Sequence, residues 1–520
     1  MSYLFLSGAT GLLGAYLLRD LMRGAVNLAV LTRSTRMESA QQRMESLIGR
    51  WEEEAGHALP RPVVLEGDLK RPDLGLTSRD TKWVQTHCHA FMNNAASLTF
   101  YGNGRDEEPY LSNLNGTRNV LEFCSKTEIR EFHHVSTAYV CGTRRGRILE
   151  SELDVGQEHG NDYEISKFES EQLVRGAGFL TDLTVYRPGI IVGDARTGFT
   201  TTFHGFYVPL KLVSTLMART RAVGVSRDEL ESGVRTAGSH LMRHVLNTTG
   251  SERKNLVPVD WVAAVMSHIY CHPRHHGQTY HLTPKQSVPV AVMQQAIEDS
   301  FIKYTSMTSK AAKTAIDFDR FGEYFYEQML VYRSYWGDDP EFDCANTSAA
   351  APHLPCPEVD AELLQRQCRF AIESNFGWPK SRPAKLNTGV DSCLSSVLNA
   401  GQNSDVPEPQ TSMIGLNVTG NGGGQWQLRF HNDRVVAAEV GINDGCTTMI
   451  CLNTSCFAEL MSGLRTVELA VNLGSIHIEG TEANVSQIIH GMQDLISSNR
   501  LSRMGTAESA CCADPVGTQV

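Results

Sequence analysis

Three groups of residues have the types and spacing to do chemistry together. Tyr163-Glu164-Ile165-Ser166-Lys167 sets a phenol and an ammonium four residues apart, hence on one face of a helix. An ammonium beside a phenol favours the phenolate and lowers a pKa ordinarily near 10, which would suit Tyr163 to proton transfer at neutral pH. Upstream, the run His133-His134-Val135 ends in Ser136-Thr137-Ala138-Tyr139. A hydroxyl at such a strand end can hydrogen-bond a carbonyl oxygen whose negative charge grows as hydride is added. Third, Ser7-Gly8-Ala9-Thr10-Gly11-Leu12-Leu13-Gly14 follows the apolar run Tyr3–Leu6 and precedes an amphipathic stretch from Ala15 to Met22. A strand, a glycine turn and a helix in that order lay a pyrophosphate on a helix N-terminus. Each group alone has a plainer reading, as turn residues, a core aromatic or a solvated lysine. Tyr207-Val208-Pro209-Leu210-Lys211 repeats the Tyr–Lys spacing, but Pro209 disfavours a regular helix there.

The elements that must position these groups alternate along residues 1 to about 195. Strands are predicted at Leu4–Leu6, Leu28–Leu31, Val63–Glu66, His89–Met92, Glu131–Ser136 and Thr184–Tyr186, with helices at Leu111–Ser125 and Ser166–Gly176 among them. That alternation predicts an α/β domain: a doubly wound parallel sheet of the Rossmann type, binding its ligand at the carboxyl ends of the strands. Leu256–Val262 is predicted to be an edge strand leading into a helix. Residues 291–380 are helical and aromatic-rich (Phe318, Phe321, Tyr324, Phe325, Tyr326, Tyr332, Tyr335, Trp336), a composition that suits a core and also a substrate cleft. Phe203, Phe206 and Tyr207 fit either a cleft wall or core packing.

Composition shifts at Ser381-Arg382-Pro383 and again over 401–410, marking linker and loop. Beyond, Trp426, Leu428 and Phe430 alternate with Gln427 and Arg429 as in a half-buried strand, and His431-Asn432-Asp433 signals a hairpin into Val435–Val440. Strand candidates continue at Thr447–Leu452, Val467–Leu473 and Ser475–Ile478, and a helix closes the domain over Asn484–Ser498. This predicts a small α+β domain over 384–500, followed by a disordered tail, 501–520.

Length and composition bound the rest. At 520 residues two or three domains are expected. A formal charge of -11 with scattered basic residues argues against a nucleic-acid surface. The absence of a charged leader or a long apolar run predicts a cytoplasmic chain without a membrane span, leaving room only for peripheral membrane contact. The 13 cysteines read as reduced thiols. Cys271-His272-Pro273-Arg274-His275-His276 lacks a second ligand cluster nearby in sequence, so no metal is expected.

Over residues 1 to about 290 the chain resembles the extended short-chain dehydrogenases/reductases. The resemblance rests on Gly8-x-x-Gly11-x-x-Gly14, Gly67-Asp68-Leu69, Asn94-Ala95-Ala96, Ser136-Thr137-Ala138, Tyr163-x-x-x-Lys167 and Tyr186-Arg187-Pro188-Gly189. It implies Thr137 (rather than Ser136), Tyr163 and Lys167 as the catalytic set. It also implies a dinucleotide held by Gly8, Thr10, Gly11, Leu12, Leu13 and Gly14. Asp68 and Leu69 would flank the adenine, and Asn94, Ala95 and Ala96 would line the cleft. Asn113 would face the catalytic pair, and Pro188 and Ile190 would border the nicotinamide. The second strand ends in Thr32-Arg33, with Arg36 close behind, where an NAD-preferring site carries Asp or Glu; a guanidinium there suits a 2′-phosphate, so NADPH is expected.

Within that superfamily, His134–Val140, Tyr186–Gly193 and Val257-Pro258-Val259-Asp260 are similar to the thioester reductase and fatty acyl-CoA reductase branch. This implies reduction of an acyl-CoA or acyl-carrier-protein thioester to aldehyde or alcohol. Val418–Trp426 and Ile476–Gly480 are similar to a sterol carrier protein type 2-like domain, which implies a site for a lipid or acyl chain. Two other readings stand beside this one: a dehydrogenase of hydroxysteroids or other lipid alcohols, and a lipid-binding protein whose reductase domain is inactive.

Overall fold

The computed structural model describes residues 2–35, 38–219, 227–305 and 325–377 continuously, and parts of 390–493. Arg36, Phe318, Phe321, Tyr324, most of the closing helix and the 501–520 tail lie outside the described residues. The chain forms two compact units, one of residues 1–33 and 62–380, the other of 34–61 and 381–520. The segment 34–61, which the sequence reading places inside a 1–290 domain, thus groups with the C-terminal residues.

The first unit is built on strands β1 (Tyr3–Ser7), β2 (Leu28–Thr32), β3 (Val63–Glu66), β4 (Cys88–Asn93), β5 (Glu131–Val135), β6 (Asp182–Pro188) and β7 (Thr279–Leu282). They pair in parallel in the order β7-β6-β5-β4-β1-β2-β3. The reversal of direction between β1 and β4 opens a crevice at their carboxyl ends. β1, β2 and β4 are largely apolar, and all three, with β5, are buried almost throughout, as strands covered on both faces must be. Phe5, Phe91 and Phe132 pack with Val120, Phe123 and Val174 of helices α2 (Gly116–Lys126) and α3 (Asp162–Arg175). Helix α1 (Leu12–Arg23) packs against α4 (Val259–Tyr270), which follows the short strand Leu256–Pro258. Just before α2, Leu111–Asn115 winds as a π-helical turn.

One expectation is corrected here, and one open reading is decided. Tyr207–Arg219 is helical despite Pro209. The proline sits in the first turn, where its missing N–H would have had no partner in any case. Phe206 and Tyr207 belong to a core cluster with Leu210 and Leu364, and Phe203 packs on that cluster, so these residues serve packing. The Tyr207 hydroxyl donates to Gln367 Oε1 at 2.7 Å while Lys211 is exposed, which separates the second Tyr–Lys pair.

In the second unit, β8 (Ser412–Thr419), β9 (Gly424–His431), β10 (Arg434–Val440), β11 (Thr448–Asn453) and β12 (Ile476–Glu479) pair in the order β10-β9-β8-β11-β12. β8 and β9 pair antiparallel, with Val418 opposite Gly424. Trp426, Leu428 and Phe430 all face the core, as their alternation predicts. Val467–Leu473 is not a strand: Val467–Asn472 is helical and sets Val467 and Ala470 into that core, a spacing of three.

Candidate active site

The crevice begins at the turn between β1 and α1. Gly8 has φ +74°, and a Cβ there would lie 2.7 Å from the Ala95 nitrogen. A Cβ on Gly14 would lie 2.0 Å from the Gly8 carbonyl oxygen. Only glycines allow this approach of turn, helix and neighbouring strand. Asn94 Nδ2 donates to the Gly8 carbonyl at 3.2 Å, and Ser7 Oγ accepts from the backbone N–H groups of Asn94 and Ala95 at 3.1 and 3.2 Å. Gly11 is the N-cap of α1 and no side chain caps that end, so the first-turn N–H groups of Leu12, Leu13 and Gly14 are left for a ligand. An uncapped helix end over a turn closed to any Cβ fits a dinucleotide diphosphate. Thr10 and Ala96 are exposed at its rim.

At the far end of the crevice Thr32 is buried within β2, whereas Arg33 is 59% exposed with its guanidinium 3.5 Å from Asp68 Oδ2. The other Asp68 oxygen accepts from the Lys70 N–H at 3.0 Å. The Leu69 carbonyl accepts from Asn119 on α2 at 2.8 Å, which fixes the loop.

The hydroxyl, phenol and ammonium converge where β5 ends and α3 begins. Asn161 caps α3 by accepting from the Glu164 N–H at 3.0 Å. One turn on, Lys167 reaches back to β5 and donates to the Val135 carbonyl at 2.6 Å. Ser136 Oγ donates to Glu171 Oε2 at 2.7 Å, so that hydroxyl belongs to the buried Glu171–Arg187 ion pair, and Thr137 is the one that faces the phenol. Thr137 Oγ1 donates to the Pro188 carbonyl at 3.5 Å, and its hydroxyl stands near enough to the Tyr163 phenol to lower that pKa. Ile190, beyond Pro188, is held by its N–H donating to the Asn255 carbonyl at 2.8 Å.

The electrostatics differ from the expectation for Tyr163. Burial pushes its phenol up to about 12; the Thr137 hydrogen bond pulls the other way and the Glu164 charge adds to the rise. Burial also lowers the Lys167 ammonium to about 8, against the pull of Glu171. Desolvation therefore outweighs the Thr137 hydroxyl, and the phenol holds its proton throughout the neutral range.

Asn113 sits in the π-helical turn, a feature frequent at functional sites. Its Nδ2 donates to Ser166 Oγ on α3 at 2.9 Å and to the Ser97 carbonyl at 3.1 Å, tying the catalytic helix to the cleft wall. Phe100 and Asn161, which the sequence did not single out, complete the surroundings with two aromatics of the 291–380 stretch. The Phe100 ring lies 5.8 Å from that of Tyr163, with Tyr332 and Tyr335 at 5.2 and 5.6 Å from Phe100. Asn161 Nδ2 donates to the Tyr335 hydroxyl at 3.1 Å. The density of aromatics around 332–336 was the available signal; its side of the fold was not.

A glycine-turn Rossmann crevice with a Thr, Tyr and Lys at the carboxyl end of the sheet defines an NAD(P)-binding domain of the extended dehydrogenase/reductase class. Residues 6–266 match the NAD-binding family described as male sterility protein, and the chain belongs to that family. It is 26% identical over 299 residues to the nonribosomal peptide synthetase asaC of Aspergillus flavus, covering 54% of this chain and 26% of that protein. It is 23% identical over 414 residues to the aldehyde reductase lnaA of the same organism, covering 70% of this chain and 36% of that one. The chain thus spans about a quarter to a third of the length of these relatives. Among solved structures, the terminal R domain of the myxalamid PKS-NRPS pathway shares the fold with TM-score 0.55 at 24% identity, over 72% of this chain and 92% of that domain.

Proposed function

We propose that the chain is an NADPH-dependent reductase of acyl thioesters, bound to CoA or to a carrier protein. The observation that carries the reading is the Thr137 hydroxyl beside the buried Tyr163 phenol, with Lys167 one turn further along the same helix and a cradle that fits a dinucleotide diphosphate. The names of the two Aspergillus flavus relatives, a peptide synthetase and an aldehyde reductase, agree with it.

When bound, the reduced dinucleotide supplies a hydride to the carbonyl carbon. Thr137 and Tyr163 hydrogen-bond the carbonyl oxygen and stabilise the charge that develops there. Because burial keeps the phenol protonated, Tyr163 acts as the acid and gives its proton to that oxygen. The resulting hemithioacetal breaks its C–S bond, its hydroxyl proton passing to the thiolate, and aldehyde and free thiol leave. The Lys167 ammonium lies under the site and favours every negatively charged stage. The aromatic wall of Phe100, Tyr332 and Tyr335 offers an apolar surface for the acyl part. Residues 384–500 serve, in this reading, as a lipid-carrier-like domain for acyl chains.

Incubation of the full chain with NADPH and a series of acyl-CoA thioesters tests the reading. Cofactor oxidation with stoichiometric release of thiol is expected, and kcat/KM should rise with chain length. Turnover only with sterol alcohols, or cofactor binding with no turnover on either panel, overturns it. Coenzyme choice is tested separately. Arg33→Ala should raise KM for NADPH roughly 10–100-fold, the range of a lost charge-assisted hydrogen bond, and leave KM for NADH nearly unchanged. Equal effects on both coenzymes would remove Arg33 from that role.

A further inference from the structure

The opposite edge of the same sheet carries a second group of ligating side chains. Glu131 opens β5 and His133 follows two residues later, hence on the same face of the strand. His276 lies in the turn between α4 and β7. Because the strands are parallel, these residues occupy the amino-terminal edge, while Ser136 and Thr137 leave β5 at the carboxyl edge. The group is therefore separate from the cofactor crevice.

Its geometry is that of a ligand set. His133 Nε2 is 3.0 Å and His276 Nδ1 3.5 Å from the same Glu131 oxygen, and one ligand atom from each residue lies within 4.8 Å of the other two. The outer ring nitrogens are held in place. His276 Nε2 lies 3.0 Å from the Tyr270 carbonyl oxygen, which can only accept, so that nitrogen carries the hydrogen. Its other ring nitrogen, Nδ1, is the atom that faces the Glu131 carboxylate. His133 Nδ1 is 3.1 Å from the Tyr186 hydroxyl, which can accept from it and leave Nε2 free to ligate. Imidazoles oriented by a carbonyl and a hydroxyl behind them are the usual outer shell of a metal-binding histidine. Both histidines are buried, while Glu131 is about a quarter exposed and leaves an entry path.

We propose that Glu131, His133 and His276 bind a divalent transition-metal ion of the zinc type, with solvent in the fourth position. Two imidazoles and a carboxylate suit zinc and cobalt far better than calcium or magnesium, which take oxygen ligands. The ion would tie β5 to the turn before β7. The second cluster that Cys271–His276 lacks in sequence is thus supplied by a strand some 140 residues earlier.

The test uses the full chain, stripped with a chelator and titrated with Co²⁺ and Zn²⁺. One equivalent of Co²⁺ should give the visible absorption of a four-coordinate site and be displaced by Zn²⁺. Glu131→Gln and His276→Gln should each weaken binding more than about 100-fold, beyond the roughly 10–100-fold typical of losing an outer-shell partner. X-ray absorption of the zinc-loaded native chain should show nitrogen and oxygen ligands with two imidazoles, a readout that needs no variant to fold. Absence of binding by the native chain, sulfur ligation, or binding undiminished in both variants overturns the assignment.

Discussion

Tyr163→Phe is expected to lower kcat by roughly 10²–10⁴-fold while leaving coenzyme affinity nearly unchanged. The variant keeps the ring against Phe100 and removes the one acidic proton next to Thr137. The cradle of Gly8, Gly14 and Asn94 lies on other elements and is untouched. The pH profile carries a second signature. Lys167, lowered to about 8 by burial, is charged below that pH and neutral above it. The native rate should therefore fall as pH rises through about 8, well before the phenol, held near 12, begins to ionise. Steady-state kinetics with thioester and a coenzyme-binding titration check both points. A Tyr163→Phe enzyme of native kcat, or a flat profile to pH 10, would end the acid role assigned here.

Arg187→Met should cost about 3–5 kcal/mol of stability, the range for breaking a buried ion pair from one side. Arg187 donates to Glu171 Oε1 at 2.6 Å and to Oε2 at 3.1 Å, and both residues are almost completely buried. Burial alone would raise the Glu171 carboxyl; Arg187, Arg175 and the Ser136 hydroxyl outweigh it and hold it at about 2. Without Arg187 that carboxylate loses its fully buried guanidinium and keeps only the half-exposed Arg175 and the Ser136 hydroxyl. The sign of the pH dependence follows. A carboxyl depressed in the folded state adds stability that is complete above its unfolded pKa, near 4.3, and is lost as pH falls toward 2. The difference between native and variant should thus narrow across that window. Urea unfolding at pH 7 and pH 3 measures it. Because Ser136 leans on Glu171 directly before Thr137, the folded fraction of the variant should also lose activity. An Arg187→Met/Glu171→Gln double variant should recover part of the stability, since it leaves neither member of the pair as a lone buried charge. A single variant as stable as the native chain would contradict the energetic role of the pair.

Much of the site was legible because it is local. Gly8, Gly11 and Gly14 are meaningful within one turn, and Tyr163 and Lys167 within one turn of helix, so period and steric demand expose them. The choice of Thr137 over Ser136 rested on resemblance, and the structure adds its physical basis: Ser136 is engaged by Glu171, 35 residues away. The Tyr163 phenol, expected from the Tyr–Lys spacing to be lowered, is instead raised by burial. Spacing shows that two groups share a face, yet the pKa of a phenol depends on how much water the rest of the protein removes from it. Phe206 and Tyr207 likewise lie near the crevice in sequence terms and turn into the core in space.

What the sequence by itself determined is the alternating α/β pattern, the nucleotide turn and the helix that carries phenol and ammonium, because each follows from periodicity or from backbone geometry within a few residues. Tertiary structure alone decided which hydroxyl meets Tyr163, that Tyr332 and Tyr335 come to stand beside it through Phe100, and that His276 meets Glu131 and His133. Those meetings depend on strand order and register between segments that lie apart in sequence, by more than a hundred residues for Tyr332, Tyr335 and His276, and on desolvation, which is a property of the packed whole.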